Sequence, residues 1–321
     1  MILRRTASAV CRSLHTGCDP VSRPGVPSLI SHYLPRLSSS PARPHPGRFW
    51  PPFATIMTES QSQSQAHQQQ HWASHPFSLI TDTGLSARPE VPRDHAVVQF
   101  TQNMALVHNL ILRGLNAAYN QCLDVSPGTQ AAHDFLVFNQ CIFQVLQVHH
   151  DMEEQHLFPA LEAALDRPGA MDQNRQEHHS FHDELMRFHE YVFGTDPKDY
   201  DGETLKAAIL ALGPLVEKHL HNEVAPLYDL HRIESTALKS LWKTVQQNHQ
   251  PDFDMYRHVP FMITCADNAF VLDGRVAPFP AFPAFVGHLV KFFLGRKHSG
   301  VWEFSPSDFT ARLKPRARTS L

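Results

Sequence analysis

The sequence predicts an all-α protein: an antiparallel up-down four-helix bundle with an additional C-terminal helix and an irregular Phe/Pro-rich tail. Three observations carry that prediction. Four long segments between residues 91 and 232 repeat their apolar residues at three- and four-residue spacing. Each stops at turn-forming residues, and the connections are short enough for neighbours to pack antiparallel. Every one of the four also carries histidine or carboxylate among its apolar positions.

The first 56 residues stand apart, with seven arginines and one acid, Asp19; they carry a formal +6, which leaves −9 for the remainder of a chain that is −3 overall. In MILRRTASAVCRSL, Leu3, Ala7, Val10 and Leu14 share one helical face while Arg4, Arg5 and Arg12 lie off it. That is the pattern of a mitochondrial presequence, with a disordered basic tail as the alternative. Met57 offers a second start, which would give a cytoplasmic form. The arginines are scattered among prolines without aromatic interleaving, so no nucleic-acid partner is expected. Residues 57–90 read as a disordered polar linker, opened by TESQSQSQAHQQQH, with the folded part starting near His75.

The first bundle helix spans 97–123 and ends at the Ser126-Pro127-Gly128 turn. The second spans 129–165 and stops before Arg167, Pro168 and Gly169; the third spans 171–193 and the fourth 202–230. Pro159 and Pro226 predict kinks or ends, because proline removes an i→i−4 hydrogen bond; Gly213-Pro214 predicts another irregularity. A fifth helix, 235–248, packs outside the bundle of 91–232. Residues 233–321 are that helix and a tail wrapped on the bundle. No apolar run approaches the ~20 residues that span a bilayer, so a soluble chain without a membrane partner is expected. Five widely spaced cysteines form no CxxC pair, which points to a reducing compartment and to buried thiols at Cys122 and Cys141.

The anomaly is the 23 histidines. His149 and Glu153 are four apart, as are His178 and His182, and His219 and Glu223, so each pair lies on one helical face. His108 shares its face with Met104, Leu112 and Leu115. Five imidazoles and two carboxylates in an apolar interior would cost several kcal/mol each if unpaired. That donor set, sent inward from four helices, suits iron or another first-row transition metal. It exceeds one tetrahedral zinc, and two metals about 3.5 Å apart with bridging glutamates would use it in full. His150 and Glu154 form a competing pair rotated by about 100°; the register to Leu157-Phe158-Pro159 favours His149 and Glu153. Glu154 then reads as a partner for a ligand imidazole or, preferably, as a solvated charge. His179, His189, His221 and His231 read as surface or supporting groups, and Phe135, Phe138, Phe143, Phe158, Phe181 and Phe188 as core and cavity wall.

The order H…HxxxEExxLFP…HxxxH…HxxxE resembles the hemerythrin-like, HHE cation-binding family. MALVHNLILRGLN, EHHSFHDEL and the PFxxTCxD…HSGVW tail resemble a fungal branch of it, and the resemblance covers roughly residues 90 to 310. It implies a non-haem di-iron centre held by His108, His149, Glu153, His178, His182, His219 and Glu223. It also implies binding of dioxygen or a related small diatomic. One departure stands out: the oxygen-carrying hemerythrins are expected to close the site with HxxxxD on the last helix, where this chain has HxxxE, so reversible oxygen carriage does not follow.

Three functions fit the residues. The first is a carrier, sensor or store for dioxygen, a related small molecule or iron. The second is a di-iron oxidase, oxygenase or peroxide-reducing enzyme, and the third a bundle merely stapled by metal. The chain lacks the ExxH pairs of ferritin-like enzymes and a Gly-rich phosphate loop, and it has no convincing Ser-His-Asp arrangement.

Overall fold

The computed structural model describes residues 72–248, 254–266, 271–272, 275–276, 279 and 284–316. The basic segment, with its presequence reading and Met57, and the opening of the linker lie outside the described residues.

Helix α1, Ala96–Gln121, starts where His95 Nδ1 accepts the Val97 N–H at 3.1 Å. It ends before Gly128, whose positive φ of 74° suits the turn. Helix α2, Gln130–Met152, is capped by the Thr129 hydroxyl, which accepts from Ala132 N at 3.1 Å. Its axis continues through a π-helical segment, Glu153–Leu157, into α3, Phe158–Ala164. The single helix expected over 129–165 is thus interrupted by one wide turn. Pro159 has no N–H to give Gln155, and its ring crowds that carbonyl; the wide turn, in which Phe158 N–H reaches Glu153 O, relieves both.

Helix α4 is Asp172–Gly194 and α5 is Gly202–Val224. Asp201 caps α5 by accepting from Glu203 and Thr204. The fourth helix was expected to reach Leu230; it stops at Val224, and Pro226 opens the following 3-10 helix, Ala225–Arg232. Pro214 sits inside α5 without ending it. α1 packs on α2 and α5, and α4 on the same two, which closes a ring of four. Neighbours run antiparallel: in α4 and α5, His178 meets His219 near one end and Tyr191 meets Asp201 at the other.

Helix α6, Ser235–Asn248, lies against α1 and the π segment, outside the ring as expected. The tail is more regular than its composition suggests. It contains α7, His258–Cys265, a two-residue antiparallel pair of β1, Val271–Leu272, with β2, Arg275–Val276, then α8, Ala284–Phe292, and a 3-10 turn, Val301–Phe304. α7 docks where α1 lacks a side chain: a Cβ at Gly114 would stand 2.8 Å from the Phe261 ring. The Phe304 ring packs tilted against Phe135, with centroids 4.7 Å apart, so the tail completes the core rather than draping over it. Cys122, Cys141 and Cys265 are free and buried, and burial pushes the Cys122 thiol up to about 11. Among the described residues no helix is long and apolar enough to cross a membrane.

Residues 72–90, expected in the linker, pack on the bundle instead. Phe77 and Ile80 bury their side chains, apolar anchors spaced among polar and turn-forming residues. Asparagines of α1 hold this strap. Asn116 accepts from Phe77 N at 2.8 Å and donates to the Ala73 and Phe77 carbonyls, while Asn109 exchanges two hydrogen bonds with Ile80. Asn116→Ala strands those buried backbone groups and is expected to lower stability by about 2 kcal/mol. Urea unfolding would show that loss, together with faster proteolysis of 72–90; an unchanged midpoint would contradict it.

Candidate metal centre

Along each bundle helix the apolar stripe is broken at one level. Met104 and Leu110 belong to two separate apolar clusters, with His108 between them; Leu146 and Leu157 flank His149, His150 and Glu153, and Leu220 and Leu227 flank Glu223. The break is a polar layer across the bundle. It holds two overlapping groups, His108, His149, Glu153 and Glu223 in one, and His150, Glu153, His178 and His219 in the other. Within each group one donor atom per residue lies within 4.8 Å of the others, and all seven residues are buried.

The outer ring nitrogens are tied down. His108 Nδ1 donates to the Leu220 carbonyl at 2.8 Å, His178 Nδ1 to the Glu154 carboxylate at 2.7 Å and His219 Nδ1 to Glu177 at 3.1 Å. Asn222 in turn donates to the other Glu177 oxygen at 3.0 Å. Because each Nδ1 faces an acceptor, it carries the hydrogen, and in the neutral ring Nε2 is left as a lone pair pointing inward. With both rings neutral and the hydrogen on Nδ1, the lone pairs of His178 Nε2 and His219 Nε2 face each other at 3.0 Å. His108 Nε2 lies 3.1 Å from His149 Nε2 and 3.3 Å from Glu223 Oε2. Glu153 lies between the groups, 3.2 Å from His149 Nε2 and 3.7 Å from His178 Nε2. Among the described residues neither of its oxygens accepts a hydrogen bond, nor does His150 Nε2 have a partner.

The electrostatics follow from burial. Burial, then the neighbouring imidazoles, push His149 and His150 well below the ordinary histidine range, and burial takes His219 down to about 4. Burial, followed by Glu223 and Glu154, pushes the Glu153 carboxyl well above its ordinary value. For Glu223 burial acts in the same direction, but the facing imidazoles, His108 first and then His219 and His149, outweigh it whenever they carry a proton and hold the carboxyl at about 2. Neutral imidazoles with lone pairs inward, and buried carboxylate oxygens without donors, are what a divalent first-row metal requires. Phe158 and Phe181 wall the layer, with ring centroids 5.8 Å from His178 and 5.6 Å from His219 respectively, and keep it dry.

Of the seven residues expected from the sequence, the structure brings six together: His108, His149, Glu153, His178, His219 and Glu223. His182 is exposed and belongs to neither group. The α4 stripe runs through Phe181, Leu185, Phe188 and Val192, and His182 lies about 90° off its centre. His150 stands in the place His182 was given. Leu146 is three residues before His149 and four before His150, so both imidazoles edge the same stripe; preferring one over the other was a false choice. Glu154, expected in solvent, is 40% exposed and yet holds His178.

Comparison with known proteins points to one family. The Hemerythrin HHE cation binding domain family matches residues 99–230. A protein described as "Dimeric xanthone biosynthesis cluster protein R11", from Cryptosporiopsis sp. (strain 8999), is 32% identical over 240 residues, which cover 74% of this chain and 89% of that relative. No solved structure matches significantly. With a relative of that identity and coverage, and the family model over residues 99–230, the chain belongs to the hemerythrin HHE cation-binding family.

Proposed function

We propose that the polar layer holds two iron ions and that the protein binds dioxygen or a related small molecule there, as a carrier, sensor or store. The observation that carries this reading is the pair of facing Nε2 lone pairs on His178 and His219, beside a Glu153 carboxyl with no donor. His108, His149 and Glu223 would hold one ion and His150, His178 and His219 the other, with Glu153 common to both. When bound, such a pair supplies reversible redox chemistry and room for a small neutral ligand. The chain orients the rings through Leu220 O, Glu154 and Glu177, and excludes water with Phe158 and Phe181.

A second reading, an oxidase or peroxide-reducing enzyme, is favoured by the relative named for a biosynthesis cluster. Metal analysis of protein purified without chelators, with optical spectra of the reduced form before and after air, separates the readings. About two irons per chain and a visible band that fades on deoxygenation support a binder. Irreversible bleaching, with oxidation of an added phenol, supports the enzyme, and zinc or an empty chain would overturn both.

Two variants locate the ligands. His150→Ala is expected to remove roughly half or more of the bound metal and His182→Ala none of it; the opposite ranking would restore His182 to the site. Glu177→Ala releases His219 Nδ1 and is expected to weaken metal binding about 10- to 100-fold, as chelator competition would show.

A further inference from the structure

Helix α8 is fixed to the body through one face. Val290 is buried, a side chain at Gly287 would strike the Phe309 carbonyl, and Trp302 Nε1 donates to Gly295 O at 3.1 Å just beyond the helix. The opposite face is apolar and bare. Phe285, Leu289, Phe292 and Phe293 are 61%, 48%, 58% and 70% exposed, and at 100° per residue they fall within one stripe about 100° wide. Met255 and Tyr256 are also exposed, and Lys297 Nζ lies over the Tyr256 ring at 4.7 Å, at the end of the same element. Exposed large side chains in such a row mark an interaction surface.

The charge around the stripe says what it meets. From Arg275 to Trp302 the chain carries Arg275, Lys291, Arg296 and Lys297 and no aspartate or glutamate, within a protein of net charge −3. Lys291, Arg296 and Lys297 are exposed. A Phe/Leu stripe that ends in exposed Arg296 and Lys297 is the pattern of a segment that lies in the headgroup region of an anionic membrane.

We propose that α8 docks the protein on an anionic phospholipid surface, Phe285, Leu289, Phe292 and Phe293 entering the acyl boundary and Arg296 and Lys297, just beyond the helix, meeting lipid phosphates. The metal layer takes no part in this contact. Flotation of the full-length chain tests it, with vesicles of phosphatidylcholine alone or with added phosphatidylserine, at low and high salt. The wild type is expected to float with the phosphatidylserine vesicles, less so at high salt. Phe292→Glu with Phe293→Glu is expected to cut that binding at least about tenfold while metal content and helicity stay unchanged. The Arg-rich first 56 residues are present in both proteins, so equal binding by the variant would assign the attachment to them and overturn the proposal. So would a wild type that ignores vesicles, or a dimer that the same variant turns into monomer without any vesicle binding.

Discussion

Glu153→Ala is expected to take bound iron from about two ions per chain to roughly none, read by metal analysis after purification without chelators. Glu153 alone belongs to both donor groups, so its loss leaves each with three residues and removes the carboxylate that links them. Any other single replacement touches one group. The same substitution deletes two buried oxygens that accept no hydrogen bond, so the metal-free variant should unfold at a denaturant concentration equal to or above that of metal-free wild type. The pair of outcomes is diagnostic: a purely structural role would lower stability and metal together. Full loading in Glu153→Ala would sink the shared-ligand reading, and Glu153→Gln, of nearly the same shape, separates charge from packing.

The helices were legible because their periodicity is strong and their stops are proline and glycine. Three of the four site helices were legible because an i, i+4 pair inside an apolar stripe has no bland explanation when it recurs. What escaped detection were effects of phase. His178 and His182 satisfy the spacing rule, yet only His178 lies near the line of Phe181, Leu185, Phe188 and Val192, and the apolar residues outrank the spacing. His149 and His150 were treated as rivals, although a stripe about 100° wide admits both at its edges. Pro159 does predict an irregularity in its helix; that it takes the form of a wide turn over Glu153–Leu157 rather than a kink or an end is what the proline alone does not show. The strap was hidden for a different reason: Phe77 and Ile80 are too few to mark a segment as folded until Asn109 and Asn116 are seen to hold its backbone.

Metal-free protein is expected to lose stability steeply as the pH falls from about 6.5 to about 4, and metal-loaded protein to resist until the ions leave. The direction follows from the histidines. In the unfolded chain His219 titrates near 6.5, whereas in the fold burial holds it down to about 4, so the folded state binds the proton less readily. Its stabilisation is therefore complete above pH 6.5 and is lost as the pH drops through that window, by about 3 kcal/mol for this group. His149 and His150 are shifted in the same direction by the same cause and add to the loss. Two carboxylates act with opposite signs and in different windows. Glu153, raised by burial, favours the fold increasingly as the pH falls from its raised value to the ordinary 4.5 and so offsets part of the histidine loss, while Glu223, held at about 2, loses stabilisation only as the pH falls from 4.5 towards that value. Bound metal forbids protons on the inward nitrogens, so it moves the histidine loss to lower pH and makes metal release the step that precedes unfolding. Urea unfolding of chelated and loaded protein between pH 7.5 and 4 would show the two curves diverging below about 6.5; parallel curves would mean that the buried imidazoles are not the groups that hold the metal.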